Sequence, residues 1–231
     1  MRQIILDTET TGINPQQGHR IIEIGCVEMI DRKLTGNHYH VYINPQRVVE
    51  EEAISVHGIT NEFLADKPVF EQIADEFYQY IRGAELVIHN AAFDVGFINH
   101  EFSLLKRPLP AVEEYCAILD TLAMARKKHP GQKNSLDALC KRYGINNSHR
   151  ELHGALLDAE ILADVYLLLS GGQTILSLDK DGEDEQGSSG LRRISKQRAP
   201  IKVIRATDDE LLQHQNYLSG IKKSSGNLIW E

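Results

Sequence analysis

Asp7 and Glu9 stand two residues apart at the end of an apolar run, Ile4-Ile5-Leu6. In an extended chain, period-two alternation sends both carboxylates to one side. Like charges placed that way repel unless a cation joins them, and their hard oxygen donors suit Mg²⁺ or Mn²⁺. A solvated turn presents the same pair, so the other acids decide. Asp94 follows a second apolar run, Leu86-Val87-Ile88, through His89-Asn90-Ala91-Ala92-Phe93. Strand ends in α/β sheets are where sites gather, although a first helical turn favours an acid too. His153 and Asp158 bracket a helix start, His153-Gly154-Ala155-Leu156-Leu157-Asp158. Five residues on a straight helix rotate by about 140°. The two side chains therefore address one point only if His153 lies in the loop just before the helix. Gly154 and Ala155 are small and leave room there for a metal or a phosphate. An imidazole titrates near neutrality, which suits a general base.

The elements that must position these residues are legible in outline. Ile4–Leu6 reads as a central strand, buried on both faces and ending in a polar turn. Ile21 to Ile30 and His38 to Ile43 read as antiparallel strands joined through Asp31 to Gly36. Phe70, Ile73, Ala74, Phe77 and Ile81 recur at helical spacing. Leu86 to Ile88 reads as a strand, Phe93 to Phe102 as a helix, and Tyr115 to Leu119 as a strand. Helices follow over Thr121–Lys128, Ser135–Tyr143 and Gly154–Leu169. Antiparallel strands followed by alternating helices and strands predict an α/β fold with a mixed sheet and helices packed on it.

Composition narrows the class. The chain has 231 residues, 42% hydrophobic and 25% charged, close to globular averages. No run approaches the ~20 apolar residues of a membrane helix, and the N-terminus carries no secretory pattern, so a cytoplasmic protein is expected. Cys26, Cys116 and Cys140 are odd in number and widely spaced, against a disulfide scaffold or zinc ribbon. The net charge of −8 falls entirely on residues 1–172, with 16 Lys and Arg against 24 Asp and Glu; residues 173–231 carry nine of each. A simple basic nucleic-acid binder is disfavoured. An acidic domain can still act on nucleic acid if its carboxylates hold divalent cations.

Asp7-Thr8-Glu9, His89-Asn90-Ala91-Ala92-Phe93-Asp94 and His153-Gly154-Ala155-Leu156-Leu157-Asp158 occur in the order of the DEDDh family of 3′→5′ exonucleases, and the chain resembles that family. The segments LDTETTG, IIEIG, VHGI, IRGAELVIHNAAFD, FSLLKR, NSLDALC and LHGALLDA extend the resemblance to its bacterial replicative proofreading branch, almost continuously over the first 173 residues. The resemblance implies an RNase H-like fold, a five-stranded mixed sheet flanked by helices, with a flexible C-terminal tail. It implies two divalent cations, Mg²⁺ or Mn²⁺: Asp7, Glu9 and Asp158 on one, Asp7 on the second, with Asp94 there directly or through water. His153 would take the proton of the attacking water. The substrate would be a DNA 3′ end, single-stranded or frayed, released as nucleoside 5′-monophosphates. Thr8, Glu9 and Thr10 around the first motif, Glu52, His57 in Val56-His57-Gly58-Ile59, and His89 and Phe93 in the second motif are the substrate-binding candidates. Glu52 departs from the family pattern, because Val49-Glu50-Glu51-Glu52 adds acid and lacks a proline.

Composition shifts near residue 171. Residues 1–172 form the expected catalytic domain. Gln173-Thr174-Ile175-Leu176-Ser177-Leu178 resembles the hexapeptide with which polymerase subunits bind the sliding clamp, Gln173 at the pocket rim and Leu176 and Leu178 buried. Asp179 to Gly190 contains no apolar residue, so 179–199 is expected to be a flexible linker. Apolar residues return within 200–231, the segment that the resemblance assigns to the alpha subunit of DNA polymerase III, with Trp230 as an anchor. A small theta-type subunit is a further partner the resemblance raises. Rival readings are an RNA or oligonucleotide exonuclease with the same catalytic residues, a catalytically silent scaffold, and an RNase H-type endonuclease. The intact acids argue against the scaffold, and the His153–Asp158 and DTET motifs against the endonuclease.

Overall fold

A computed structural model describes residues 1–147, 152–171 and 206–225. Ile4, Ile5 and Leu6 are fully buried and form the middle of strand β1 (Arg2–Thr10). The strand runs past Leu6 through Asp7, Thr8 and Glu9, further than the apolar run alone predicts, because β2 (Ile21–Ile30) pairs with it antiparallel along its whole length, Asp7 facing Gly25 and Glu9 facing Glu23. β3 (Lys33–Tyr42) follows β2 through a tight turn at Asp31 and Arg32, both at positive φ, 48° and 65°. That two-residue turn matches strand twist, so the hairpin closes earlier than the Asp31–Gly36 connection expected from sequence. The short helices α1 (Glu51–His57) and α2 (Asn61–Leu64) come next. They are too short to show a periodicity, and the sequence reading omits them.

α3 (Phe70–Ile81) occupies its predicted span, with all five periodic residues buried. It leads to β4 (Glu85–Ile88), parallel to β1. α4 (Ala91–Ser103) starts from Asn90, which takes the left-handed conformation at φ 72° and turns the chain off the end of β4. β5 (Ala117–Asp120) is parallel to β4. It begins two residues later than expected, because Val112–Glu114 coils into a 3₁₀ turn and Cys116 N–H bonds back to Val112 C=O. α5 (Thr121–Lys128) is capped by Asp120, which accepts from Leu122 and Ala123 N–H. α6 (Leu136–Tyr143) is capped by Ser135. α7 (Ala155–Leu169) follows the His153 loop and packs on the sheet.

The five strands order as β3-β2-β1-β4-β5. Alternation along β1 divides the core between the two faces of the sheet. Ile4 and Leu6 join Phe70, Phe77, Phe97 and Phe102 from α3 and α4. Ile5 joins Val27, Met29 and Val87 beneath Ala159, Leu162 and Ala163 of α7. Cys26, Cys116 and Cys140 are free and buried. No described helix is long and apolar enough to cross a membrane.

The chain divides into two units, Met1–Ser177 and Leu178–Glu231. In the second, α8 (Asp208–Ser225) is described. It opens with a reciprocal cap: Glu210 Oε2 accepts from Thr207 N–H at 2.8 Å, and Thr207 Oγ accepts from Glu210 N–H at 3.4 Å. Leu211, Leu212 and Tyr217 on it are exposed. The expected clamp motif Gln173–Leu178, the linker, and Trp230 lie outside the described residues.

Candidate active site

One cleft of about 550 Å³ opens on Asp7, Thr8 and Glu9 of β1, His89 and Asn90 at the end of β4, Phe93 and Asp94 of α4, and His153 and Asp158. Asp7 and Glu9 are half-buried, while Thr8 between them is buried. The pleat of β1 thus turns both acids toward the cleft, as their spacing predicts. The parallel pairing of β4 with β1 places the turn before α4 beside them.

Asp94 is 3% exposed. Its Oδ1 accepts a hydrogen bond from Thr8 Oγ at 2.7 Å. Burial pushes its carboxyl up to about 7; the Thr8 hydroxyl and the backbone N–H groups of Asp94 and Thr8 work against that rise, and Asp120 adds to it. A buried carboxylate of this kind calls for a nearby cation when ionised. α4 is fixed in turn by Glu101, 1% exposed, whose two oxygens accept from Arg20 Nε and a terminal guanidinium nitrogen at 2.7 and 2.6 Å, and also from Ile21 N–H at 3.1 Å. This fork ties the helix that carries Asp94 to the start of β2.

His153 lies two residues before α7, as the rotation argument requires. Its Nδ1 is 3.4 Å from Asp158 Oδ2, with the histidine side chain 45% exposed and the aspartate 5%. Ligand atoms of Glu9, His153 and Asp158 lie within 4.8 Å of one another. Two features seat this helix start. Gly25 of β2 meets it so closely that a Cβ there would sit 2.2 Å from the Ala155 carbonyl carbon. Gly154, the residue capping α7, makes no side-chain cap bond; instead Glu23 of β2, 2% exposed, accepts from Ala155 N–H at 3.1 Å. The other Glu23 oxygen meets His40 Nε2 at 2.7 Å. His153 N–H bonds to Val56 C=O at 3.2 Å, holding the loop from the far side.

The substrate candidates divide. Thr8, Glu9, His89 and Phe93 line the cleft. His89 Nδ1 lies 3.0 Å from Thr121 Oγ; burial holds the imidazole below its ordinary range, Arg126 adds to that, and the Asn134 backbone and Asp120 oppose it. Phe93 also packs against the core, with its ring 5.0 Å from that of Phe97. Thr10, Glu52 and His57 are not on the cleft wall. Thr10 is buried, and its hydroxyl donates to Gly12 C=O at 2.6 Å. Glu52 is exposed on α1. His57 is buried; its Nδ1 accepts from Ile59 N–H at 3.0 Å, and its Nε2 has no partner among the described residues. Burial and then His153 lower its pKa, against a backbone contact with Thr10. Sequence reasoning missed Glu23, Arg126, Asn134 and Ser135, the last three of which line the far part of the cleft. Only the local signal Ser135-Leu136, a helix cap, pointed at any of them.

Carboxylate oxygens converging in a partly buried cleft form the donor set that a divalent cation needs. The sequence matches the RNase_T exonuclease family over residues 4–166. It is 55% identical over 235 residues to the DNA polymerase III subunit epsilon of Escherichia coli (strain K12), covering 99% of this chain and 97% of that one. The corresponding subunit of Pasteurella multocida (strain Pm70) is 53% identical over 241 residues, covering 100% and 93%. Among solved structures, exonuclease X in complex with 5′-overhanging duplex DNA aligns with a TM-score of 0.57 at 31% identity, over 74% of this chain and 94% of that one. Exonuclease I shares the fold at a TM-score of 0.63 and 18% identity, over 73% of this chain and 40% of that one. The protein therefore belongs to the RNase_T exonucleases and, within them, to the DNA polymerase III epsilon subunits.

Proposed function

We propose the residue-level chemistry by which this chain acts as a proofreading 3′→5′ exonuclease, removing mispaired 3′-terminal nucleotides as 5′-monophosphates. The observation that carries it is the convergence of Glu9, His153 and Asp158 within 4.8 Å, in a cleft that also holds Asp7 and Asp94. Exonucleases of this fold depend on divalent metal. Here Asp7, Glu9 and Asp158 would hold one Mg²⁺ or Mn²⁺, and Asp7 with Asp94 a second. When bound, such a pair stabilises charge on the attacking and leaving oxygens.

The remaining work falls to the chain. His153, half-exposed at the cleft mouth, accepts a proton from the water that attacks the terminal phosphorus. Asp158, 3.4 Å away, orients the imidazole. The P–O bond to the 3′-oxygen of the penultimate nucleotide breaks, that oxygen takes up a proton, and the terminal nucleotide leaves with the new P–OH. Phe93 and His89 flank the terminal nucleotide; Thr8, its hydroxyl committed to Asp94, acts through that carboxylate. His57, with its buried Nε2 lacking a partner among the described residues, and Thr10 support the loop side of the same site, and Glu52 approaches only a bound 3′ end.

Residues 1–172 act as the catalytic domain, and Gln173, Leu176 and Leu178 dock on the sliding clamp. Residues 179–199 tether, and 200–231, with α8 and its exposed Leu211 and Leu212, hold the alpha subunit. A theta-type subunit binds the catalytic domain. The cytoplasm, where the chromosome is copied, is its compartment. The relatives' name as DNA polymerase III subunits supports the polymerase partnership.

The test is a product ladder from 5′-labelled single-stranded DNA in Mg²⁺, beside the equivalent RNA. Stepwise shortening of DNA, abolished in folded Asp7→Ala and Asp158→Ala proteins, supports the reading. Substantial activity in either variant at saturating Mn²⁺ refutes the ligand assignment. Pull-downs with clamp and alpha subunit, using Gln173→Ala/Leu176→Ala and a chain ending near residue 172, test the division of labour. Normal clamp binding by the double variant refutes the hexapeptide, and alpha binding by the shortened chain refutes the tail.

A further inference from the structure

The cleft does not end at the carboxylates. It continues to Leu122 and Arg126 on one face of α5, and to Gln132, Asn134 and Ser135 before α6. Among the described residues, Arg126 is the one Lys or Arg on its wall. It is exposed and makes no hydrogen bond or ion pair with the described residues, although Asp137 lines the same cleft. The two basic residues that follow it on α5 do not share this placement. Lys128 Nζ donates to Leu169 C=O at 3.0 Å, and Lys127 is off the cleft wall. Arg126 lies close enough to the cleft floor for its charge to act on His89.

A guanidinium left unpaired beside a wall of acids is a site for an anion. The anion an exonuclease must place there is set by the substrate's own geometry. The terminal phosphodiester goes to the carboxylate end with its cations, and the strand then has to leave through the same cleft. Its next phosphate would meet acidic surface, because residues 1–172 carry a net charge of −8. A planar guanidinium can engage two phosphate oxygens at once. Resting on the exonuclease reading above, we propose that Arg126 binds the phosphodiester on the 5′ side of the scissile one. It thereby selects a strand of at least three linked nucleotides over a mononucleotide ester.

The experiment uses the full chain, Arg126→Ala and Arg126→Lys, with two substrates: an oligothymidylate, and the 4-nitrophenyl ester of thymidine 5′-monophosphate, which has no upstream phosphate. For Arg126→Ala, the ratio of kcat/KM on the oligonucleotide to that on the ester falls by about tenfold or more, through KM, as expected for a lost charged hydrogen bond. Arg126→Lys recovers part of that ratio. In parallel, binding of a fluorescent oligothymidylate is followed at low salt in EDTA, where nothing turns over. The slope of log affinity against log salt falls by ~0.7 in Arg126→Ala, the value for one phosphate contact on a single strand. An unchanged ratio, or an unchanged salt slope, overturns the assignment. The binding arm needs no catalysis, so it decides the role of Arg126 independently of the exonuclease reading. That reading fails instead if the unaltered chain shortens no oligonucleotide.

Discussion

Glu23 accepts the Ala155 N–H at 3.1 Å across 132 residues of chain, so a strand on one side of the sheet caps the helix that presents Asp158. An N-terminal carboxylate also meets the favourable end of the helix dipole. Glu23→Ala leaves Ala155 N–H and His40 without their acceptor, at a cost of about 1–3 kcal/mol. Thermal unfolding is expected to show that loss. Steady-state kinetics are expected to show a larger fall in kcat than in KM, because the His153 loop loses its seat. Glu23→Gln keeps an oxygen acceptor and restores most of both.

Asp94 gives the metal-free protein a pH dependence of defined sign. Its folded-state pKa, about 7, lies above the ordinary 3.8, so the folded state binds the proton more tightly. The stability that this group contributes is present at acid pH and lost as pH rises through 7. In EDTA at pH 8, Asp94→Asn is therefore expected to raise stability by about 2–4 kcal/mol, at 1.36 kcal/mol per unit. The gap narrows toward pH 4. Saturating Mn²⁺ removes the advantage, since it stabilises the ionised cluster of the unaltered protein. Melting curves at three pH values check this.

His153→Ala is expected to lose about 10²–10⁴-fold in rate, the usual contribution of a general base. The pH–rate profile of the variant is expected to differ in shape from that of the unaltered enzyme. Identical pH–rate profiles for the two proteins would remove His153 from the proton transfer.

Arg20→Leu strands Glu101, which is 1% exposed, among apolar neighbours. Breaking a buried pair from one side costs about 3–5 kcal/mol, and Arg20, partly exposed, puts this case near the lower figure. Denaturant titration measures it. The metal affinity of the folded variant is expected to fall as well, because α4 carries Asp94.

The parts of this molecule that are legible in its sequence are those built from local pattern. α3 is readable to the residue because five apolar side chains repeat around one face. The acids are readable because Asp7, Glu9 and Asp94 follow apolar runs and His153 and Asp158 bracket a helix start. β1 reads short, ending at Leu6, because nothing local shows that β2 will pair with Asp7 through Thr10. β5 reads as starting early because Tyr115 and Cys116 have strand-like side chains, yet their backbone closes a 3₁₀ turn. Glu23 and Arg126 are invisible for a different reason. Each gains its meaning from a residue more than thirty positions away, Ala155 for one and His89 for the other.

The burial of all three cysteines has a practical consequence for measuring this protein in motion. Burial pushes the Cys26 thiol far up and the Cys116 thiol up, and reaction with maleimides or iodoacetamides proceeds through the exposed thiolate. Gln213 is exposed on α8. It is turned about 100° or more around the helix from Leu212 and Leu211. A single cysteine introduced there becomes the fast-reacting thiol of the chain. A dye can then be attached at that point without first removing the native cysteines.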